Sequence, residues 1–445
     1  MLMTLHGAAI EIRQGRLTPT DLLDDCLTYI DRFEPRVQAW VFEDREGARA
    51  RCDLLTQELR RGQYRGLLHG IPLGIKDIYD VFDWPTAAGS RLWTQSIARR
   101  DATVVARLRQ AGAVFLGKTT TTQYASFDPS PTRNPWNLSR TPGGSSSGSA
   151  AALACRMCLG AIGSQTGGSI TRPASYCGVA GCKPTFGRVS CDGVVPLAPS
   201  MDHPGPMANC VRDLAILLQV MAGADPRDPA CANRPVPNYL TALEESRTPP
   251  HLARVRGLFD DRAVPAVLRM MDQVTDRFRR EGAAVTEVTL PANFGPILQH
   301  HRTVMAVESA AFHGERLRQH PEDYLPEIRK LLEEGLSCSA AEYARSKEHQ
   351  EQLKLEMKTC FEGIDALLAP ATTEPAPDIR STGNPAFNSP WSYIGLPVVS
   401  IPAGEDEGLP LAIQLVGPAW SEAELFSVAA WCEATLGIEP KLPPG

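Results

Sequence analysis

Residues 142–154 read P-G-G-S-S-S-G-S-A-A-A-L-A, and residues 164–184 read S-Q-T-G-G-S-I-T-R-P-A-S-Y-C-G-V-A-G-C-K-P. Both parts contain loops rich in glycine and serine, and the alanine-rich run between them predicts a helix. No histidine occurs between His69 and His203. A nucleophilic serine in this stretch therefore needs another proton acceptor, and a candidate lies upstream in G-I-P-L-G-I-K-D, at Lys76.

Predicted strands and helices alternate around this stretch. Buried strands are expected at 71–75, which places Lys76 at a strand end, and at 113–116, 253–259, 284–290, 366–368, 398–401 and 411–415. Helices are expected from Thr18 to Glu34-Pro35 and at 45–61, 101–110, 264–281, 294–361 and 422–436. The alternation predicts an α/β fold, with a large mixed β-sheet core covered by helices on both faces.

The chain is expected to form a single domain, 1–445. A proline-rich segment near 225–250 is interpreted as an excursion over the surface, which separates the catalytic half from a more variable C-terminal half. An acyl pocket is expected to draw on that second half, around 300–313 and 384–393. His300 and His301 are expected to be solvated or core histidines rather than ligands.

The composition is that of an ordinary globular protein. The 445 residues are 43% hydrophobic and 22% charged, with a net charge of -6 and no basic stripe, so nucleic acid is not an expected partner. The apolar segments at 150–163 and 214–224 are too short to span a membrane. No secretory signal is predicted, and twelve cysteines are too sparse for a disulfide scaffold, so a reducing, cytoplasmic location is expected.

Two patterns superficially resemble ligand sites. The first is a set of cysteines with the spacings C-x2-C and C-x4-C, at Cys155, Cys158, Cys177 and Cys182. Its first pair falls in a predicted helix rather than on the tight turn of a zinc site. The second, G-A-V-F-L-G-K-T at 112–119, fits a P-loop, but its variable positions are predicted to form a strand and could not wrap around a phosphate. Neither a metal nor a cofactor is expected.

Ser169 is the candidate nucleophile, in T-G-G-S-I-T-R-P. The preceding Gly167 and Gly168 leave room for a substrate carbonyl and permit conformations that turn successive N–H groups toward one point. If the amides from Thr166 to Ser169 converge, they form an oxyanion hole, in which one donor typically contributes about 3 kcal/mol.

Lys76 is the candidate base, because burial of a lysine lowers the pKa of its ammonium group toward neutrality. The alternative from spacing alone is a surface ion pair with Asp77 or Asp80. The loop at 143–148 likewise has an ordinary alternative, a flexible linker or a helix N-cap.

The motifs in this chain resemble those of the amidase signature family, in family order and over the whole length. They include G-I-P-L-G-I-K-D, A-G-A-V-F-L-G-K-T-T-T-T-Q-Y-A, T-R-N-P-W-N, G-G-S-S-S-G-S-A-A-A, S-Q-T-G-G-S-I-T-R-P-A, C-G-V-A-G-C-K-P-T-F-G-R-V-S, S-M-D-H-P-G-P-M-A, D-A-L-L-A-P-A-T, G-L-P-V-V-S-I-P-A-G and G-L-P-L-A-I-Q-L-V-G. The resemblance implies the amidase signature fold and a Ser-cisSer-Lys arrangement. It makes Ser169 the nucleophile, Ser145 a bridging serine after a cis Gly144 peptide, and Lys76 the terminal base. The expected oxyanion-hole and substrate-binding residues are Thr166, Gly167, Gly168, Ser146 and Gln165.

The chain departs from many family members beside the nucleophile. An aspartate four residues before it and an arginine two residues after it are replaced by Gln165 and Thr171, with an arginine displaced to Arg172. The expected function is hydrolysis of a small carboxamide to a carboxylate and ammonia or an amine, and a homodimer is a possible assembly. The alternatives are the glutaminase (A) subunit of a tRNA-dependent amidotransferase and a binding or scaffold protein without turnover.

Overall fold

The computed structural model describes residues 3–245 and 248–444. One eleven-stranded mixed sheet runs through both halves of the chain, in the order β1-β3-β2-β4-β6-β5-β10-β11-β9-β7-β8. Its strands are β1 (Trp40–Glu43), β2 (Pro72–Lys76), β3 (Val114–Thr119), β4 (Gly160–Gln165), β5 (Ala180–Lys183), β6 (His203–Ala208), β7 (His251–Val255), β8 (Ala284–Val288), β9 (Ala366–Pro370), β10 (Val398–Asp406) and β11 (Leu409–Val416).

Helices cover both faces of the sheet, as the sequence predicts. They are α1 (Leu5–Arg13), α2 (Pro19–Val37), α3 (Arg45–Arg60), α4 (Thr103–Gln110), α5 (Ser147–Ala154), α6 (Thr171–Cys177), α7 (Val211–Met221), α8 (Tyr239–Glu245), α9 (Leu258–Asp261), α10 (Pro265–Arg280), α11 (Ile297–Gln319), α12 (Pro326–Ser337), α13 (Ala340–Glu356), α14 (Ser389–Tyr393) and α15 (Glu422–Leu436). Among the described residues, none of the helices is both long and apolar enough to cross a membrane.

Several predicted boundaries are wrong. The strand expected at 253–259 ends at Val255 and is followed by α9, and Cys155 and Cys158 lie after the end of α5 rather than within a helix. Helix α2 does not end at Glu34-Pro35 but continues to Val37. Pro35 lies in the last turn and is exposed, so the backbone hydrogen bond that it removes is close to the end of the helix. The single helical stretch expected at 294–361 is divided into α11, α12 and α13, because prolines at 321 and 326 break it and Ser339 caps a new start.

The sheet brings the two serine-rich loops and Lys76 to one edge. Strand β2 pairs in parallel with both β3 and β4, so the carboxyl ends of all three strands lie together. Lys76 is the last residue of β2, and the glycine loop at 166–170 leaves the end of β4. Helix α5, which follows Ser145, leads directly into β4. The fold therefore places the candidate residues on adjacent segments.

Candidate active site

Lys76 is fully buried at the end of β2. Its Nζ lies 2.7 Å from Ser145 Oγ and 2.8 Å from Ser164 Oγ. The Ser164 carbonyl oxygen is 3.5 Å from the same nitrogen. Asp77, the acidic neighbour considered as a surface partner, instead forms an ion pair with Lys118. The alternative of a surface ion pair with Asp77 is therefore wrong.

Burial determines the charge state of Lys76. It lowers the pKa of the ammonium group well below the usual value for lysine, and the charge of Asp202 opposes this shift only in part. Asp202 is itself buried, accepts hydrogen bonds from Thr166 Oγ1 and from the N–H groups of Leu197 and Ala198, and has its pKa raised by burial. The uncharged amine of Lys76 is thus favoured over a far wider range of pH than for an exposed lysine.

The serine-rich loop around Ser145 is enclosed by the fold and is not a flexible linker. The Gly144–Ser145 peptide bond is cis, as the family resemblance implies. Ser145 and Ser146 are fully buried. The N–H of Thr122 donates to the Ser145 carbonyl at 3.3 Å, and the N–H of Ser146 donates to the Ser169 carbonyl, also at 3.3 Å. The two serine-rich loops therefore contact each other through their backbones.

Ser146 and Gln165 hold the loops in place through protein contacts. Ser146 Oγ donates to the Ser164 carbonyl and accepts from the Ser164 N–H. The buried Gln165 Oε1 accepts from the N–H groups of Ile170 and Thr171, at 2.9 and 3.0 Å, and from the Thr171 hydroxyl. Gln165 thus bonds locally without a charge, beneath the glycine loop.

Three consecutive carbonyls of the glycine loop are bonded to groups outside it. The Thr166 carbonyl lies 3.0 Å from His301 Nε2, and the Gly167 carbonyl accepts from Ser392 Oγ at 2.7 Å. The Gly168 carbonyl accepts from the N–H of Arg172 at 3.0 Å. In a trans peptide the N–H points opposite to the carbonyl of the preceding residue, so the N–H groups of residues 167–169 face the other way. Within the described chain, none of these three N–H groups donates to a protein acceptor.

Arg172 contacts the loop that carries Ser145. Its side chain is fully buried, and Nη2 donates to the Gly144 carbonyl at 2.8 Å and reaches Thr382 Oγ1 at 3.4 Å. Burial lowers the pKa of this guanidinium to about 10. The displaced arginine therefore supports the peptide that carries Ser145, while Thr171 contacts Gln165.

Sequence reasoning did not single out Ser164 or Ser392 and gave His301 no role at the site, although His301 and Ser392 fall within the ranges 300–313 and 384–393 expected to contribute to an acyl pocket. Ser164 supplies two of the three neighbours of Lys76 Nζ, and its only signal in the sequence is its position just before Gln165, at the edge of the second glycine-rich motif. His301 belongs to α11 and Ser392 to α14, both in the half of the chain expected to be variable. His301 is a core histidine, as expected, but it contacts the glycine loop.

The buried ion pair between Lys118 and Asp77 fixes the turn after Lys76. Lys118 Nζ lies 2.9 Å from Asp77 Oδ1 and also donates to the Pro85 carbonyl. Lys118 lies in strand β3, so the P-loop pattern at 112–119 is indeed a strand. Burial raises the pKa of Asp77 and lowers that of Lys118 despite their attraction, so desolvation offsets much of the gain from pairing.

We expect Lys118→Met to lower the free energy of unfolding by about 3 to 5 kcal/mol, because it leaves the Asp77 carboxylate buried without its cation. Adding Asp77→Asn removes that charge and should recover most of the loss. Urea denaturation of the single and double variants measures both effects. A single variant as stable as the unmodified chain would contradict the prediction.

The four cysteines considered as zinc ligands are buried thiols. Burial raises the pKa of Cys158 to about 12 and raises those of Cys155, Cys177 and Cys182 as well. Across residues 3–245 and 248–444, no three His, Cys, Asp or Glu side chains converge in a way that could hold a metal ion. These cysteines pack as small apolar side chains.

Known proteins match this chain along nearly its whole length. The family model described as Amidase matches residues 21–426. The glutamyl-tRNA(Gln) amidotransferase (A) subunit of Roseiflexus sp. (strain RS-1) is 36% identical over 462 residues, which cover 96% of this chain and 95% of that protein. The putative amidase AmiD of Mycobacterium tuberculosis (strain ATCC 25618 / H37Rv) is 35% identical over 463 residues, covering 99% and 96%.

A solved structure agrees with these matches. The X-ray structure of native peptide amidase from Stenotrophomonas maltophilia has a TM-score of 0.87 and 31% identity, and the match covers 99% of this chain and 98% of that one. The large mixed sheet and the sequence motifs both fit this relationship. The chain therefore belongs to the amidase signature family, hydrolases that act on C–N amide bonds.

Proposed function

We propose that this chain is an amidase that hydrolyses a small carboxamide to a carboxylate and ammonia or an amine, with Ser169 as nucleophile, Ser145 as bridging serine and Lys76 as base. The observation that carries the proposal is the buried Lys76 amine, 2.7 Å from Ser145 Oγ. A lysine in such a position is poised to take a proton from a hydroxyl group.

The three contacts of Lys76 can be assigned for the uncharged amine that the proposed mechanism requires. Such an amine has two N–H donors and one lone pair. Ser164 offers two acceptors, its hydroxyl at 2.8 Å and its carbonyl at 3.5 Å, so the lone pair is left for the Ser145 hydroxyl. In this role Ser164 orients the base, and Ser145 donates its proton to Lys76.

The proposed reaction uses these three residues in turn. Ser169 Oγ attacks the substrate carbonyl carbon while its proton passes to Ser145 Oγ and the Ser145 proton passes to Lys76 Nζ. The C–N bond then breaks, and the same relay returns a proton to the departing nitrogen. Water then attacks the resulting ester of Ser169 and gives up a proton to Lys76 through Ser145. The C–O bond to Ser169 Oγ breaks, the relay returns that proton to Ser169 Oγ, and the acid leaves as a carboxylate after losing its remaining proton to solvent. The backbone contact between Ser146 and Ser169 supports this relay by keeping the two serine segments together.

The N–H groups of Gly167, Gly168 and Ser169 are the proposed oxyanion donors. Their orientation away from the bonded carbonyls, and their freedom from protein acceptors among the described residues, support this role. Donors fixed before the reaction stabilise the negative oxygen of the tetrahedral intermediate without reorganisation. Thr166 contributes to the site through its hydroxyl, which is bound to Asp202.

The rate of hydrolysis should rise with pH. Protonated Lys76 cannot accept a proton, so kcat/KM should increase as the ammonium loses its proton, with a midpoint below the ordinary range for lysine because burial lowers its pKa. Initial rates across a pH series measure the midpoint. A rate that is unchanged from acid to alkaline pH would contradict a lysine base.

A second buried lysine provides the control for this profile. Burial lowers the pKa of Lys183 to about 7, and among the described residues its Nζ donates to the backbone carbonyls of Pro184 and Leu396 alone. Titration of Lys183 near pH 7 would also make a rate depend on pH. The Lys183→Met variant should keep the alkaline rise if Lys76 is responsible, and it should lose the rise if Lys183 is.

The second candidate function is the glutaminase subunit of a tRNA-dependent amidotransferase, and the 36% identity to such a protein favours keeping it. The polar, uncharged pair Gln165 and Thr171 beside the nucleophile favours the stand-alone amidase. Ammonia release by the purified chain from a panel of aliphatic, aromatic and amino-acid amides decides between them. Activity limited to glutamine and dependent on added partner proteins would overturn our choice.

A further inference from the structure

Two helices of the second half of the chain pack against the glycine loop, on the side where side chains at Gly167 and Gly168 would lie. An added Cβ at Gly167 would lie 3.3 Å from Ser389 Oγ and 3.7 Å from His301 Cε1, and one at Gly168 would lie 2.7 Å from Asn388 Oδ1. His301 is on α11, and the other two residues lie at the start of α14. The side of the loop on which these Cβ atoms would lie is therefore closed by protein.

His301 is a hydrogen-bond donor to this loop. It is 3% exposed, and burial lowers its pKa to about 4, so the ring is neutral near pH 7. A carbonyl oxygen only accepts, so the Nε2 that lies 3.0 Å from the Thr166 carbonyl must carry the ring hydrogen. The neutral ring thus has one tautomer in this position, with Nε2–H directed at the loop.

The loop needs such a restraint because glycine peptides rotate easily. Gly167 and Gly168 lack the Cβ that would limit their backbone conformations. Rotation of the Thr166–Gly167 peptide would turn its carbonyl oxygen toward Ser169 in place of the Gly167 N–H. A carbonyl oxygen there would repel the oxyanion that the N–H is proposed to stabilise.

We propose that His301 is a positioning residue for hydrolysis, which holds the Thr166 carbonyl away from Ser169 and thereby directs the Gly167 N–H at the oxyanion. Ser392 does the same for the next peptide, since its hydroxyl donates to the Gly167 carbonyl at 2.7 Å. This inference rests on the proposed function, because it takes Ser169 as the nucleophile. It gives α11 and α14 the role of orienting the proposed oxyanion donors.

The test compares His301→Phe with His301→Gln. Phenylalanine keeps the ring volume without a donor, and we expect kcat to fall about 10- to 100-fold, with KM changed by less than about 3-fold. The Nε2 of glutamine can occupy the place of the imidazole Nε2, so His301→Gln should recover kcat to within about 5-fold of the unmodified chain. Affinity for a boronic acid that mimics the tetrahedral intermediate should fall with kcat in His301→Phe.

Ser309→Ala is the matched structural control. Ser309 is also buried on α11, and its hydroxyl donates at 2.8 Å to the Leu197 carbonyl, outside the glycine loop. Its removal should lower Tm while kcat stays within about 2-fold, because only a structural hydrogen bond is lost. Equal kcat values for His301→Phe and Ser309→Ala, or failure of a folded His301→Gln to recover kcat, would overturn the inference.

The rate at which a fluorophosphonate labels Ser169 separates this inference from the proposed function. Labelling, like hydrolysis, places negative charge on an oxygen in the proposed oxyanion hole, and it can be measured without knowing the substrate. A slower rate in His301→Phe supports the inference, and an unchanged rate overturns it while Ser169 remains the nucleophile. If the unmodified chain is not labelled at Ser169, the proposed function fails and the inference fails with it.

Discussion

Ser169→Ala is expected to abolish hydrolysis, with a loss in kcat on the order of 10⁴- to 10⁶-fold, because no acyl-enzyme can form without the Ser169 hydroxyl. Covalent labelling by a fluorophosphonate should disappear in the same variant. Ammonia release and the mass of the labelled protein measure the two effects. The loss in kcat should exceed that of any other single serine replacement, because the Ser169 hydroxyl oxygen is the proposed attacking atom.

Ser175→Ala is the control for this variant. Ser175 is a buried serine six residues further on, and its hydroxyl donates to the Thr171 carbonyl within α6. It should retain both activity and labelling. Labelling that survives Ser169→Ala would show that the nucleophile is a different residue, and peptide mapping would then identify it.

Lys76→Ala is expected to reduce kcat by at least about 10³-fold, since general base catalysis commonly contributes a factor of this order. Lys76→Met, which retains more of the side-chain volume, should lose as much. Single-turnover ammonia release measures both variants, and Tm shows whether they are folded.

Lys76→Arg distinguishes a base from a buried positive charge. Arginine keeps the charge but does not lose its proton in proteins, so this variant should be inactive as well. If Lys76→Arg or Lys76→Met retained more than about a tenth of the activity, another group would have to accept the proton from Ser145.

Local patterns in the sequence pointed to Lys76 and Ser169 as candidates, whereas Ser145 was assigned by the family resemblance. The apolar run before Lys76 predicted a buried strand end, and the two glycines before Ser169 predicted N–H groups turned toward one point. The cis bond before Ser145 was implied by the family motif and is present. These features depend on short segments, in which residue type and spacing carry most of the information.

The residues around them depend on contacts between distant segments. Ser164 reaches Lys76 because β2 and β4 are neighbours in the sheet, which their sequences do not specify. His301 and Ser392 reach the glycine loop through the packing of α11 and α14, more than a hundred positions along the chain. Sequence alone left open whether Lys76 paired with Asp77, and the position of Lys118 decided it.

The pairing of β5 with β10 in the middle of the sheet affects how the protein folds during its synthesis. Val398 lies opposite Lys183, so the open edge of β5 gains its second neighbour only after a segment more than two hundred residues further along has left the ribosome. Until then, the nascent polypeptide presents an unpaired strand edge on which other chains could associate. Closure of the sheet at this position therefore waits for the synthesis of β10, and molecular chaperones that shield strand edges would act during that interval.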